Sequence, residues 1–291
     1  MVKSIENDTI RISVDSLGAE LHSITGADGL DYLWRGDPEY WAGRAPVLFP
    51  IVGALRNGRA VSAEGEITLP RHGFARTHEW ELEAAGEDRL TYLLKSSPKT
   101  KAAYPYDFIL RVSYIIGDSS VTTAFTVQNA GEKAMPFCIG GHPAFNIPLV
   151  EGERFEDYIV RFEKPETAAC PYVDLEKGII LSERRPILDN SDSIRLSHSL
   201  FKHDALVFDN LKSRSVRLYS EKSGRGVRMD FGGMDYFAIW SPIKASPFVC
   251  LEPWTGTATL ESESDVFEKK RGMRLLAPGE EASISFTVKI F

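Results

Sequence analysis

Cysteine is scarce in this chain. Cys138, Cys170 and Cys250 are its only three among 291 residues, too few and too scattered for a disulfide framework or a zinc site. No apolar run approaches the roughly 20 residues that span a bilayer. The opening MVKSIENDTIRISV has no apolar segment of the secretory type, so Asn7-Asp8-Thr9 reads as a chance match to a glycosylation acceptor. Positive charge is short as well. The 34 Lys and Arg stand against 41 Asp and Glu, a formal charge of −7, and the cations are scattered rather than striped. That pattern argues against a phosphate-backbone partner. These absences predict a cytoplasmic protein with no membrane and no nucleic-acid partner.

Common catalytic signatures are missing too. There is no G-x-S-x-G elbow, no H-E-x-x-H helix, no phosphate loop of the Walker type and no dinucleotide fingerprint opening a helix. The glycine-rich SGRGVRMDFGGMDYF lies in strand and turn context and is read as a hairpin. Helical periodicity is nearly absent. Only SPKTKAAY suggests a turn or two of helix, with Pro98 at its first position.

A period of two dominates instead. Phe108, Leu110, Val112, Tyr114 and Ile116 share one face of DFILRVSYIIG, and Val121, Thr123, Phe125 and Val127 do so in the run that follows. The intervening GDSS is turn chemistry and predicts an antiparallel hairpin. The same alternation marks Ile10, Ile12 and Val14 near the start, and Ala282, Ile284, Phe286, Val288 and Ile290 near the end. No repeat, low-complexity tract or composition shift divides the chain. The expectation is all-β: one large antiparallel β-sandwich domain over residues 1–291, with few short helices.

Three stretches carry residues suited to chemistry. In IGGHPAFNIPL, Gly140, Gly141 and Pro143 fix the backbone tightly around His142, a constraint that a mere core histidine would not need. In LPRHGFARTHEW, His72 sits between Pro70 and Gly73 with Arg71 and Arg76 nearby; it is either a turn residue or a site residue. In SPFVCLEPWTG, Glu252 follows an apolar run. It is either an exposed strand end or a buried carboxylate whose pKa burial would lift toward that of a useful base. Trp254 beside it offers a face for sugar C–H groups and one donor. His22, His78, His198 and His203 have no such context and are expected on the surface or in packing. An imidazole and a carboxylate, without nucleophile or nucleotide site, suit proton transfer on a neutral polar ligand.

Five stretches in order, LGAELHSITGADGLDYLWRGDPEYWAGRAPVLFPIVG, LPRHGFAR, YPYDFILRVSY, IGGHPAFNIPL and PFVCLEPWTG, resemble the aldose 1-epimerase (mutarotase) family, most closely its LacX-like branch. The resemblance runs from about Leu17 to the C-terminus. It implies a galactose mutarotase-like twisted sandwich and interconversion of the α and β anomers of an aldose, with no metal and no cofactor. By motif it implies Glu252 as general base, His142 as general acid and His72 as a ligand of the sugar ring. The family's sugar-binding aspartate matches Asp204, with Asp209 as the alternative. Its arginine stretch corresponds here to VGALRNGRA, where Arg56 or Ala54 takes the expected place. Trp254 joins the substrate-binding set. The expected partner is a small-molecule sugar, free or phosphorylated, and the oligomeric state, monomer or dimer, stays open. Arg71 and Arg76 would suit a phosphate, the mark of a hexose-6-phosphate mutarotase. A non-catalytic sugar-binding or sensing protein is a third possibility, and a glycosidase fits less well because it wants two carboxylates flanking the bond.

Overall fold

The computed structural model describes all 291 residues. Its largest element is a ten-stranded sheet. Third and fourth from one edge, Phe108–Gly117 and Ser120–Asn129 form the expected hairpin, with Gly117 opposite Ser120. Glu281–Ile290 pairs with the second of them. The alternating residues turn inward as their period requires: Phe108, Leu110, Val112, Tyr114, Val121, Phe125, Val127, Phe286 and Val288 are all buried. Each large side chain removed from water in this way contributes about 1.5–3 kcal/mol. Two 17-residue strands, Tyr158–Asp174 and Ile179–Arg195, form a long hairpin on one flank of the sheet.

A second sheet faces the first. It runs in the order Leu206–Phe208, Tyr236–Trp240, Phe248–Trp254, Gly140–Gly141 and Val47–Leu48, and Ala144–Asn146 also pairs with Phe248–Trp254. Its inner side meets the large sheet: Phe49 packs against Phe108 at 5.1 Å between ring centroids, and Val249 and Leu251 join the same core. Val2–Glu6, Ile10–Asp15 and Glu20–Gly26 form a separate three-stranded sheet whose Ile10, Ile12 and Val14 are buried in that core. The architecture is all-β, as the alternation predicts. Helix is confined to short turns such as Pro98–Lys101, where Ser97 and Thr100 close a reciprocal capping box.

One sequence expectation is corrected. Gly226–Asp230 and Tyr236–Trp240 do not pair as a hairpin; the first lies in the large sheet and the second in the facing one. Gly226–Asp230 already has both edges filled, by Ser215–Ser220 and by Glu281–Ile290. The Phe231–Asp235 bend therefore carries the chain between layers, and Phe231 stacks on Phe237 at 4.6 Å where it crosses.

Candidate active site

The site grows from the period-two geometry of Phe248–Trp254. Val249 and Leu251 point into the core, which leaves Phe248, Cys250, Glu252 and Trp254 on the opposite face. Gly140 pairs with Trp254 and Ala144 with Cys250, so the register sets His142 directly across from Glu252. On its other side Glu252 faces Ala238, which in turn faces Val207, so one row of four residues crosses the sheet. The two glycines before His142 permit this closeness. A Cβ on Gly140 would lie 2.6 Å from the Trp254 ring, and one on Gly141 would lie 2.6 Å from the Phe286 ring.

His142 Nε2 stands 3.1 Å from Glu252 Oε2, and both side chains are buried. No aligned hydrogen bond joins them: Glu252 Oε2 and His142 Nδ1 are buried without a partner. Glu252 is therefore not an exposed strand end. Burial drives both groups toward their neutral forms. It pushes the imidazole down to about 3, and burial followed by the Asp204 charge holds the carboxyl well above its usual range. The contact is a proton-sharing pair, since the carboxyl–imidazole and carboxylate–imidazolium forms carry the same net charge.

His72 belongs to the same site. Its φ of +67° is a left-handed conformation that costs a side chain about 1–2 kcal/mol. The neighbouring backbone holds it there. His72 N–H donates to the Gly53 carbonyl at 2.6 Å, and Gly53 N–H donates to His72 Nδ1 at 3.1 Å. A ring that accepts at Nδ1 carries its proton on Nε2, so His72 is a neutral donor. Burial, then the His142 and arginine charges, keeps it well below the usual histidine range. Gly73 completes the turn at φ +71°, where a Cβ would strike the Phe49 carbonyl at 2.1 Å.

These residues open onto a cleft of about 340 Å³ that Arg71, Arg76, Asp204 and Trp254 also line. Its size falls within the range of small-molecule sites, about 300–1,000 Å³. Trp254 Nε1 is a buried donor without a partner. Arg76 donates to the Arg71 carbonyl at 3.0 Å and feels the compensating charge of Glu20. The Arg71 guanidinium has no acidic partner among the ion pairs. Two walls were not anticipated. Trp41 stacks on the His142 ring at 4.9 Å, with Trp240 edge-on at 5.8 Å. Val173, Leu175 and Ile180 come from the tip of the long hairpin. Trp41 had a signal, a large aromatic in the otherwise loop-like GDPEYWAG, and Trp240 shares strand parity with Ala238. The hairpin tip had none.

Arg56 and Asp209 lie outside the cleft lining. Arg56 Nε meets Asp265 at 3.0 Å, and its Nη2 donates to the carbonyls of Leu260, Glu261 and Glu263, so the fork is consumed in holding that loop. This corrects its expected placement beside the sugar. Asp209 is held by Arg184 and by Arg271, the latter at 2.7 Å, whereas the Asp204 carboxylate faces the cleft. Asp204 is the better candidate of the two. The other histidines pack as expected, His198 on Phe155 at 4.0 Å and His203 against Tyr172 at 5.1 Å. As possible metal donors, a ring nitrogen of His142, the Cys250 sulfur and a Glu252 oxygen lie within 4.8 Å of one another.

An antiparallel sandwich carrying a buried imidazole–carboxylate pair in a sugar-sized cleft defines a mutarotase-like protein. The chain belongs to the aldose 1-epimerase family, whose model matches residues 1–285. It is 42% identical to protein LacX encoded on a plasmid of Lactococcus lactis subsp. lactis, over 100% of this chain and 99% of the relative. Among solved structures it resembles a galactose mutarotase related enzyme from Lactobacillus acidophilus, with a TM-score of 0.94, 32% identity, and coverage of 100% of this chain and 97% of the other. A galactose mutarotase-like protein from Lactobacillus casei superposes with a TM-score of 0.92 at 26% identity, both chains covered in full.

Proposed function

We propose that the protein is an aldose 1-epimerase that interconverts the α and β anomers of a sugar by metal-free general acid–base catalysis. The observation that carries this reading is the buried His142–Glu252 contact at 3.1 Å beneath the cleft. Glu252 takes the proton of the C1 hydroxyl while His142 protonates the ring oxygen. The C1–O5 bond breaks, C1 becomes an aldehyde carbon, and rotation about C1–C2 presents its other face. Reclosure returns both protons. Throughout, the pair carries one proton, which moves from imidazole to carboxyl on opening and back on closing. Burial favours the neutral pair, the form that accompanies the open sugar, and so lowers the energy of that intermediate. His72 Nε2–H, Arg76, Asp204 and the Trp254 donor supply hydrogen bonds to the ring hydroxyls.

Anomer-exchange NMR over a panel of free and phosphorylated aldoses tests this. Each acid–base group is typically worth about 10²–10⁴ in rate. Glu252→Gln and His142→Asn should each lower exchange at least 100-fold with unchanged circular dichroism. Wild-type exchange rates in both variants would sink the proposal. The unpaired Arg71 supports a phosphorylated substrate as a second reading, since a guanidinium fork suits a phosphate. On that reading Arg71→Gln weakens kcat/KM for glucose 6-phosphate tenfold or more and spares glucose.

A further inference from the structure

We propose that Cys250, His142 and Glu252 form a site for a zinc-class divalent cation, and that occupying it switches off proton transfer. Cys250 has no task in the sugar chemistry, yet strand parity puts it on the same face as Glu252, two residues away. The three donor atoms lie within 4.8 Å of one another, and the imidazole–carboxylate contact is already 3.1 Å. An ion equidistant from three atoms at the full separation would sit about 2.8 Å from each. Zinc takes its N, O and S ligands at about 2.0–2.3 Å, so each donor needs to close in by about 0.5–0.8 Å.

A second observation points to a ligand. Glu252 Oε2 is buried and receives no aligned hydrogen bond, and its residue lines the cleft. The donor set selects the ion. Thiolate, imidazole and carboxylate suit zinc, whereas magnesium and calcium want oxygen alone. Charge also balances. The dication replaces the Cys250 thiol proton, which leaves as H⁺, along with any proton on Glu252. One thiolate and one carboxylate then neutralise it, which suits a site closed off from water. His142 and Glu252 line the cleft, so a fourth ligand from that side, such as a sugar hydroxyl, would complete the tetrahedron. While the ion is bound, the His142 ring has no free lone pair for a proton, and the dication drains the Glu252 carboxylate of its basicity.

The site stands without the proposed function; only the inhibitory consequence rests on it. Cobalt(II) titrated into the full-length protein reads the site directly. We expect one equivalent bound, with a thiolate-to-cobalt charge-transfer band that disappears in both Cys250→Ser and Cys250→Ala. Zinc should depress anomer exchange at least tenfold in the wild type, and EDTA should restore it. Both Cys250 variants should keep basal exchange and need at least tenfold more zinc for half inhibition. Absence of the band, its survival in Cys250→Ala, or equal zinc sensitivity of all three proteins would overturn the proposal. A cobalt band in a protein that exchanges no anomers upholds the metal site and removes only the mutarotase reading.

Discussion

At the scale of the residue, His142 is set by what covers it. Burial, with Trp41 stacked on one face, pushes its imidazole down to about 3, so a second proton joins the pair only in strong acid. Because kcat/KM reports the free protein, its acid limb should fall near pH 3–4 rather than at the ordinary histidine value of about 6.5. A pH-rate profile checks this, and an acid limb near 6.5 would contradict it. Trp41→Ala uncovers the ring and forfeits a stacking contact worth about 0.5–1.5 kcal/mol. Its acid limb should move toward 6.5 and its kcat drop roughly threefold to tenfold by the same stacking energy. Trp41→Phe, which keeps a ring, should stay close to wild type in both respects.

At the scale of the element, the strand Phe248–Trp254 does most of the positioning, and Gly140 lets its neighbour approach. Gly140→Ala would put a methyl group 2.6 Å from the Trp254 ring and 2.9 Å from the Pro253 carbonyl. Overpacking of this kind costs about 1–3 kcal/mol. Thermal unfolding should show the loss, and exchange activity should fall with it because the strand bearing Glu252 moves. Much of this element was legible beforehand: the tight backbone around His142, the apolar run before Glu252 and the alternation of the long strands are all local patterns. What was not legible is non-local. Nothing within SGRGVRMDFGGMDYF announces that both edges of Gly226–Asp230 are taken, and nothing around Arg56 announces that carbonyls some 200 residues away consume its fork. Leu175 reaches the cleft only because two 17-residue strands carry their connecting turn to it.

At the scale of the whole molecule, one buried neutral histidine ties stability to pH. His72 titrates well below the usual histidine range when folded, while in the unfolded chain it takes up a proton near pH 6.5. The folded form then binds fewer protons, so stability is fully present above about pH 6.5 and is lost as pH falls below it. Each such group contributes a slope of ~1.4 kcal/mol per pH unit. Urea unfolding at intervals from pH 7 to pH 4 should show this decline, and His72→Asn should make it shallower by about one proton's worth. The His142–Glu252 pair holds one proton folded and one unfolded between about pH 4.3 and 6.5, so it adds no slope there. The His142–Glu252 pairing carries one more consequence. Its partners belong to segments far apart in the chain, and they meet only when Phe248–Trp254 docks beside Gly140–Gly141. Contacts of such wide sequence separation pay loop-closure entropy before they are rewarded, which slows folding. On the proposed function, anomer exchange recovered during refolding should therefore report the docking of these two segments, and not the closure of the local hairpins.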